Sequence, residues 1–173
     1  GGKLRAEIDL DTYDEPFEGV LVLKSSVLLH DYEQKISVMT SNSRKTIVAE
    51  DLLISSSAAN WDEYDGKLYE LTAALYKNDL QSSESEKADE KTVSFGIRTF
   101  GDDGYGHLSL NGRRIFLRSE ANCAEFPETG YIPMEKEAWK NILQTYKDYG
   151  INMVRFHSHC PPEAAFFAAD EMG

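Results

Sequence analysis

From Leu117 to the last residue, short apolar strands alternate with helical periodicity, and this order limits the folds open to the chain. MEKEAWKNILQTYKDYG sets Met134, Ala138, Trp139, Ile142, Leu143, Tyr146 and Tyr149 on one face at helical spacing. Glu135 and Glu137 fall in its first turn, Lys147 in its last, and Gly150 is the stop signal. INMVRFHSH then reads as a buried strand, and Pro161-Pro162 opens a second helix. A strand–helix–strand–helix order requires parallel pairing through a right-handed crossover. Parallel sheets are buried on both faces, and two such units cannot cover their own. The segment therefore reads as the opening of a larger α/β domain.

The first hundred residues follow a different pattern. KLRAEIDL, GVLVLKSSVLLH, QKISVMT, RKTIVAEDLLI, KLYELTAALY and KTVSFGIRTF are apolar or β-branched runs with partial alternation. Turn-forming clusters separate them: DEP at Pro16, TSNS at Thr40 to Ser43, SSSAAN, and the acidic, Ser-rich stretch before Lys91. About seven short strands at this spacing predict an antiparallel sandwich of immunoglobulin type. Gln81 to Glu90 reads as a solvated hairpin loop. Gly101 to Gly104 reads as a turn between domains, and Asn111-Gly112 as a hairpin whose second arm continues into a longer strand. Trp61 and Leu68-Tyr69 read as sandwich core rather than as a sugar-stacking platform.

Composition removes whole classes of function. The 18 Lys and Arg against 30 Asp and Glu give a net charge of −12, which excludes a nucleic-acid partner that needs a basic patch. No apolar run spans a bilayer, because Lys24, Ser25 and Ser26 interrupt the best one. The first residues lack a basic segment followed by an apolar core, so no leader is read there. Cys123 and Cys160 have no disulfide framework around them and read as free buried thiols.

Period-two alternation puts Arg118, Glu120 and Asn122 on one side of the first late strand. It puts Arg155, His157 and His159 on one side of the second. Polar groups at the C-terminal ends of adjacent parallel strands form the mouth of an α/β barrel, so these residues predict a polar pocket floor. The bland alternative is an ion pair of Arg118 or Arg155 with Glu120 that braces the sheet. His157 and His159 also form a HxH pair of the kind that ligates metal in some barrels. No third ligand stands at a suitable spacing, and no metal is assigned.

FGIRTF, LSLNGRRIFLRSEAN, FPETGYIPMEKEAW, YGINMVRFHSHCPPEAAF and ADEMG resemble the sandwich-to-barrel junction of glycoside hydrolase family two. That family holds β-galactosidases, β-glucuronidases and β-mannosidases. WDEYDGKLYELTAALY is similar to its last sandwich segments, without the prolines usual around the tryptophan. The resemblance implies an immunoglobulin-like antiparallel β-sandwich over residues 1–100, then the first two βα units of a truncated (β/α)8 TIM barrel over 101–173. It implies retaining hydrolysis of O-glycosidic bonds, β-galactosidase-like, by two glutamates about 5 Å apart. Both would lie on later barrel strands, so no catalytic residue is assigned here and the chain alone is expected to be inactive. Glu120, Glu125, Glu128 and Glu163 are not promoted to that role.

Arg155 matches the arginine of the family's second barrel strand, and Arg118 the one ending the first. Where many β-galactosidases carry a histidine run after the first strand, this chain has ANCAEF. The histidine expected before the proline is His157 or His159, while an ungapped match puts Ser158 there. The expected substrate-binding residues are therefore Arg155, His157, His159 and Asn122, with Arg118 and Glu120 supporting the barrel. The partners implied are a carbohydrate substrate and the remainder of its own barrel, with self-association of the full-length enzyme compatible. No cofactor, nucleic acid or membrane is implied, and a periplasmic or secreted destination is favoured over the cytoplasm. The alternatives are a non-catalytic carbohydrate-binding or scaffold protein of the same architecture, and a metal-dependent hydrolase using His157 and His159.

Overall fold

A computed structural model describes residues 2–39, 43–77 and 85–173. The chain forms two compact units: Gly1–Ala58 with Tyr69–Phe95, and Ala59–Leu68 with Gly96–Gly173.

The first unit is a two-sheet antiparallel sandwich. Its strands are β1 (Lys3–Asp11), β2 (Phe17–Lys24), β3 (Tyr32–Val38), β4 (Arg44–Leu53), β5 (Leu68–Lys77) and β6 (Glu86–Gly96). One sheet has the order β3-β2-β5-β6, and the other pairs β1 with β4. Alternation explains which residues turn inward. Ile36 and Val38 on β3, and Ile47 and Ala49 on β4, are buried two apart and meet Leu21, Leu23, Leu71 and Leu75. On β4 the alternation then slips by one, so that Leu52 is the next residue inward. Asp51 has φ 58° at that point, and the register with β1 shifts between Leu4 and Ala6. An extra residue in one strand of a pair has this effect. Each Leu or Ile so buried contributes about 1.5–3 kcal/mol relative to exposure, which holds the two sheets face to face.

One expectation changes here. Glu86 to Glu90 begin strand β6 rather than completing a loop, and this mostly charged end of the strand is exposed at every position. Residues 81–84 of that expected loop, and residues 40–42 of the TSNS turn, lie outside the described residues.

The second unit opens with an antiparallel sheet of β7 (Phe100–Asp102), β8 (Leu108–Leu110) and β9 (Arg113–Arg114). The segment Gly101 to Gly104 therefore starts a turn inside this sheet rather than a link between domains. Asn111 (φ 53°) and Gly112 (φ 76°) make the β8–β9 turn, as the dipeptide predicts. The second arm does not run on: residues 115–118 lie outside any strand before β10 (Ser119–Asn122). Helix α1 (Lys136–Asp148), strand β11 (Met153–Phe156) and helix α2 (Glu163–Met172) follow, and β10 pairs parallel with β11.

Trp139 is fully buried and packs with Leu143, Ala165, Ala168, Val154 and Phe156, so both helices lie on one face of the parallel pair. Met134 and Tyr149, expected on the buried face of α1, are 65% and 83% exposed because the helix starts after the first and ends before the second. Gly150 terminates it with φ 77°, its N–H donating to the Lys147 carbonyl.

Residues 59–68 belong with this unit although they precede β5. Trp61 donates from its backbone to the Ile97 carbonyl and from its indole to the Asp170 carbonyl at 2.6 Å, and Arg98 lies over its ring. Trp61 is thus not part of the sandwich core. The Glu63 carboxylate, 7% exposed, pairs with Arg113 at 2.6 Å. Lys147 bridges the Glu63 carbonyl and the carbonyls of Met172 and Gly173.

Candidate functional site

The parallel pair decides which polar residues can act together. Its register sets Ser119 against Met153, Glu120 against Val154, Ala121 against Arg155 and Asn122 against Phe156. Residues in register on adjacent strands point to the same face. Val154 and Phe156 pack under the helices, so Glu120 and Asn122 share the helix face. Ser119, Ala121, Met153 and Arg155 occupy the open one. The alternation expected within each strand holds, but the two polar sets lie on opposite faces. A single polar floor made from both is not formed.

Each expected residue then has a definite place. Asn122 is 8% exposed; its side-chain Oδ1 accepts from Ala124 N–H at 3.0 Å and its side-chain amide donates to the Tyr146 hydroxyl at 3.4 Å. It serves the helix side and does not face the open side. Glu120 is half-buried and forms no ion pair among the described residues. Arg118 precedes β10, at the N-terminal end of the pair, and its guanidinium donates to the Gly150 carbonyl. The brace of Arg118 or Arg155 with Glu120 is therefore absent, since the one arginine is engaged elsewhere and the other is on the opposite face.

Arg155 is exposed on the open face. His157 lies just past the strand end, also exposed, and its backbone N–H donates to the Asn122 carbonyl at 2.8 Å. That bond extends the ladder one step beyond β11 and keeps His157 in phase with Arg155. The alternation does not reach His159. Its ring packs edge-on to Phe156, with centroids 5.6 Å apart, and its Nε2 is buried with no hydrogen-bond partner. Among the described residues no three or more His, Cys, Asp or Glu gather where they could hold a metal ion. Both cysteines are free, as expected, but exposed rather than buried, because each falls in the loop after its strand.

Sequence reasoning missed Asn152. Its side-chain carbonyl accepts from Arg118 N–H at 2.8 Å, and its side-chain amide donates to the Phe116 carbonyl at 3.1 Å. The available signal was an amide residue at the entry of a strand, two positions after a helix-stop glycine.

The chain superposes on solved glycosidases over nearly its whole length. It matches a glycosyl hydrolase family 2 member from Bacteroides cellulosilyticus with a TM-score of 0.78 at 20% identity, covering 99% of this chain and 22% of that one. A β-galacturonidase of the same family from Eisenbergiella tayi, bound to galacturonate, matches with 0.76 at 21% identity over 98% of this chain and 28% of that chain. This is the fold of a glycoside hydrolase family two segment. Bacteroides uniformis β-glucuronidase 2 has it too, with a TM-score of 0.78 at 20% identity, covering 99% of this chain and 20% of that one.

Two Formosa agariphila proteins named as candidate β-glucuronidases align in sequence. One is 34% identical over 101 residues, 57% of this chain and 10% of the relative. The other is 29% identical over 114 residues, 65% and 13%. The chain thus spans about a tenth of the curated relatives' length. No protein-family model matches it. Among the described residues no helix is long and apolar enough to cross a membrane.

Proposed function

We propose that this chain is the sandwich and barrel-opening segment of a retaining β-glycosidase, and that Arg155 and His157 form part of its substrate-binding edge. In this reading the sandwich domain covers residues 1–100, β10-α1-β11-α2 are the first two βα units of a (β/α)8 barrel, and the rest of the barrel supplies the acid/base and nucleophilic glutamates. The observation that carries it is the register of β10 and β11. With both helices on one face, the other face would become the barrel interior, and Arg155 and His157 rise along it toward the C-terminal strand ends, where barrel active sites lie.

The guanidinium and imidazole would hold sugar hydroxyls through hydrogen bonds that tighten as the ring distorts toward an oxocarbenium-like state. Asn122 and His159 are left out of the edge, because the first serves the helix face and the second packs on Phe156. The similarity to β-glucuronidases and a β-galacturonidase supports an O-glycosidic substrate, and the chain alone would be inactive. The parent would be an exported or periplasmic enzyme that acts on glycans and needs no organic cofactor.

The test assays the full-length protein containing this chain on aryl β-glycosides of galactose, glucuronic acid and galacturonic acid. Arg155→Ala and His157→Ala should each lower kcat/KM by roughly a hundredfold, about 2.7 kcal/mol of transition-state binding. A chelator should leave the rate unchanged. No turnover of any β-glycoside would favour the non-catalytic scaffold. Loss of activity on chelation would favour a metal-dependent hydrolase, and variants with wild-type rates would remove Arg155 and His157 from the edge.

A further inference from the structure

We infer that Asn152 is a positioning residue: its side-chain amide sets the register of β10 against β11, and thereby which face Arg155 and His157 occupy. The inference rests on the proposed substrate edge only for its functional meaning. The register itself is tested separately.

The chain enters β10 irregularly. Residues 115–118 form no strand, so their backbone groups would need partners other than a regular ladder. The Asn152 amide supplies two of them, taking Arg118 N–H at 2.8 Å and giving a hydrogen to Phe116 C=O at 3.1 Å. One partner only donates and the other only accepts, so a single amide orientation satisfies both. The side chain thus imitates a peptide group of a neighbouring strand. The Arg118 carbonyl in turn accepts from the backbone N–H of Asn152 at 3.0 Å and of Met153 at 3.2 Å, which starts the parallel ladder. Four hydrogen bonds between 116–118 and 152–153 therefore converge where pairing begins, and the ladder continues to the His157 N–H.

The consequence comes from the period of a strand. A slip of one residue turns every side chain of a strand to the other face. Slipped by one, β11 would turn Arg155 under the helices and send Val154 and Phe156 to the open side. Four paired residues are a short ladder, and three of the four on β11 (Met153, Val154 and Phe156) are apolar and could fill either face. The hydrophobic pattern alone therefore defines the register weakly, and a directional amide at the entry supplies what the pattern lacks.

The test uses isotope-labelled chain and reads cross-strand backbone contacts by NMR. Wild type should show Ala121–Arg155 and Asn122–Phe156 contacts. Asn152→Leu keeps the volume and loses both hydrogen bonds, so those contacts should vanish or shift by one residue. Asn152→Asp keeps the acceptor for Arg118 N–H and should retain them. Unchanged contacts in Asn152→Leu, or their loss in Asn152→Asp, overturns the inference, whatever the thermal stability of either variant. Should β10 and β11 of Asn152→Leu fail to fold, amide exchange decides: Arg118 N–H must be protected to within tenfold of the β10 amides in wild type and in Asn152→Asp. Fast exchange at Arg118 in wild type also overturns it. Glycosidase activity enters none of these readouts, so failure of the register claim and failure of the proposed function remain distinct.

Discussion

Replacing Trp139 by alanine should cost the second unit most of its stability. The side chain is fully buried among Leu143, Ala165, Ala168, Val154 and Phe156. It meets Phe126 and Phe156 edge-to-face with ring centroids at 6.0 and 5.8 Å, and donates its indole N–H to the Pro133 carbonyl at 2.8 Å. Lost transfer energy and the cavity left behind put a buried Trp→Ala change at about 3–5 kcal/mol. Trp139→Phe retains a ring against both phenylalanines but leaves the Pro133 carbonyl without its donor, a cost of about 1–3 kcal/mol.

The assay is urea unfolding followed by tryptophan fluorescence. Both tryptophans, Trp61 and Trp139, lie in the second unit, so Trp61 still reports on that unit in either variant. At a slope of about 1 kcal/mol per molar urea, the alanine variant's midpoint should fall by about 3–5 M, to zero urea if the unit has no more stability than that. The phenylalanine variant should fall by about 1–3 M. An alanine variant shifted by less than 1 M would refute the placement of Trp139 at the centre of this core. A phenylalanine variant as damaging as alanine would refute the partition between ring packing and hydrogen bonding.

Two further predictions concern the same unit. The carboxylate of Asp62 is held below its ordinary range, chiefly by the backbone N–H of Tyr64 and that of Asp65, and that of Glu171 chiefly by hydrogen bonds from Lys136 and Lys140. A depressed carboxylate stabilises the fold above its unfolded pKa near 4, and that stability is lost as pH falls through the lower folded value. Stability measured by thermal melts from pH 6 down to pH 2 should therefore decline below about pH 4, and Asp62→Asn with Glu171→Gln should flatten that decline. A decline of equal slope in the double variant would refute these groups as its source. At the β8–β9 turn, Gly112→Ala must hold a Cβ at φ 76° and should lose about 1–2 kcal/mol in urea titration. Asn111→Gly keeps the conformation but loses the side-chain bonds to Thr99 N–H and the Trp61 carbonyl. It should therefore also destabilise, and no loss would show those bonds to be idle.

The sequence by itself determined what depends on neighbours along the chain. Period-two runs with turn residues between them specify the strands of the sandwich. Asn111-Gly112 specifies its turn through two positive φ values. The spacing of Trp139, Ile142, Leu143 and Tyr146 specifies α1 and its buried stripe, and Gly150 its end. Alternation within β10 and within β11 was equally legible. The phase between them was not, because period two orders the faces of one strand and says nothing about its neighbour. That phase rests on contacts 34 and 36 residues apart, from Asn152 to Arg118 and Phe116. They send Asn122 to Tyr146 and leave Arg155 and His157 in the open. The placement of residues 59–68 was hidden for the same reason, since the partners of Trp61, Glu63 and Asn111 lie roughly fifty to over a hundred positions away. Local backbone chemistry made the elements, and long-range hydrogen bonds to specific carbonyls and carboxylates decided which of their faces meet.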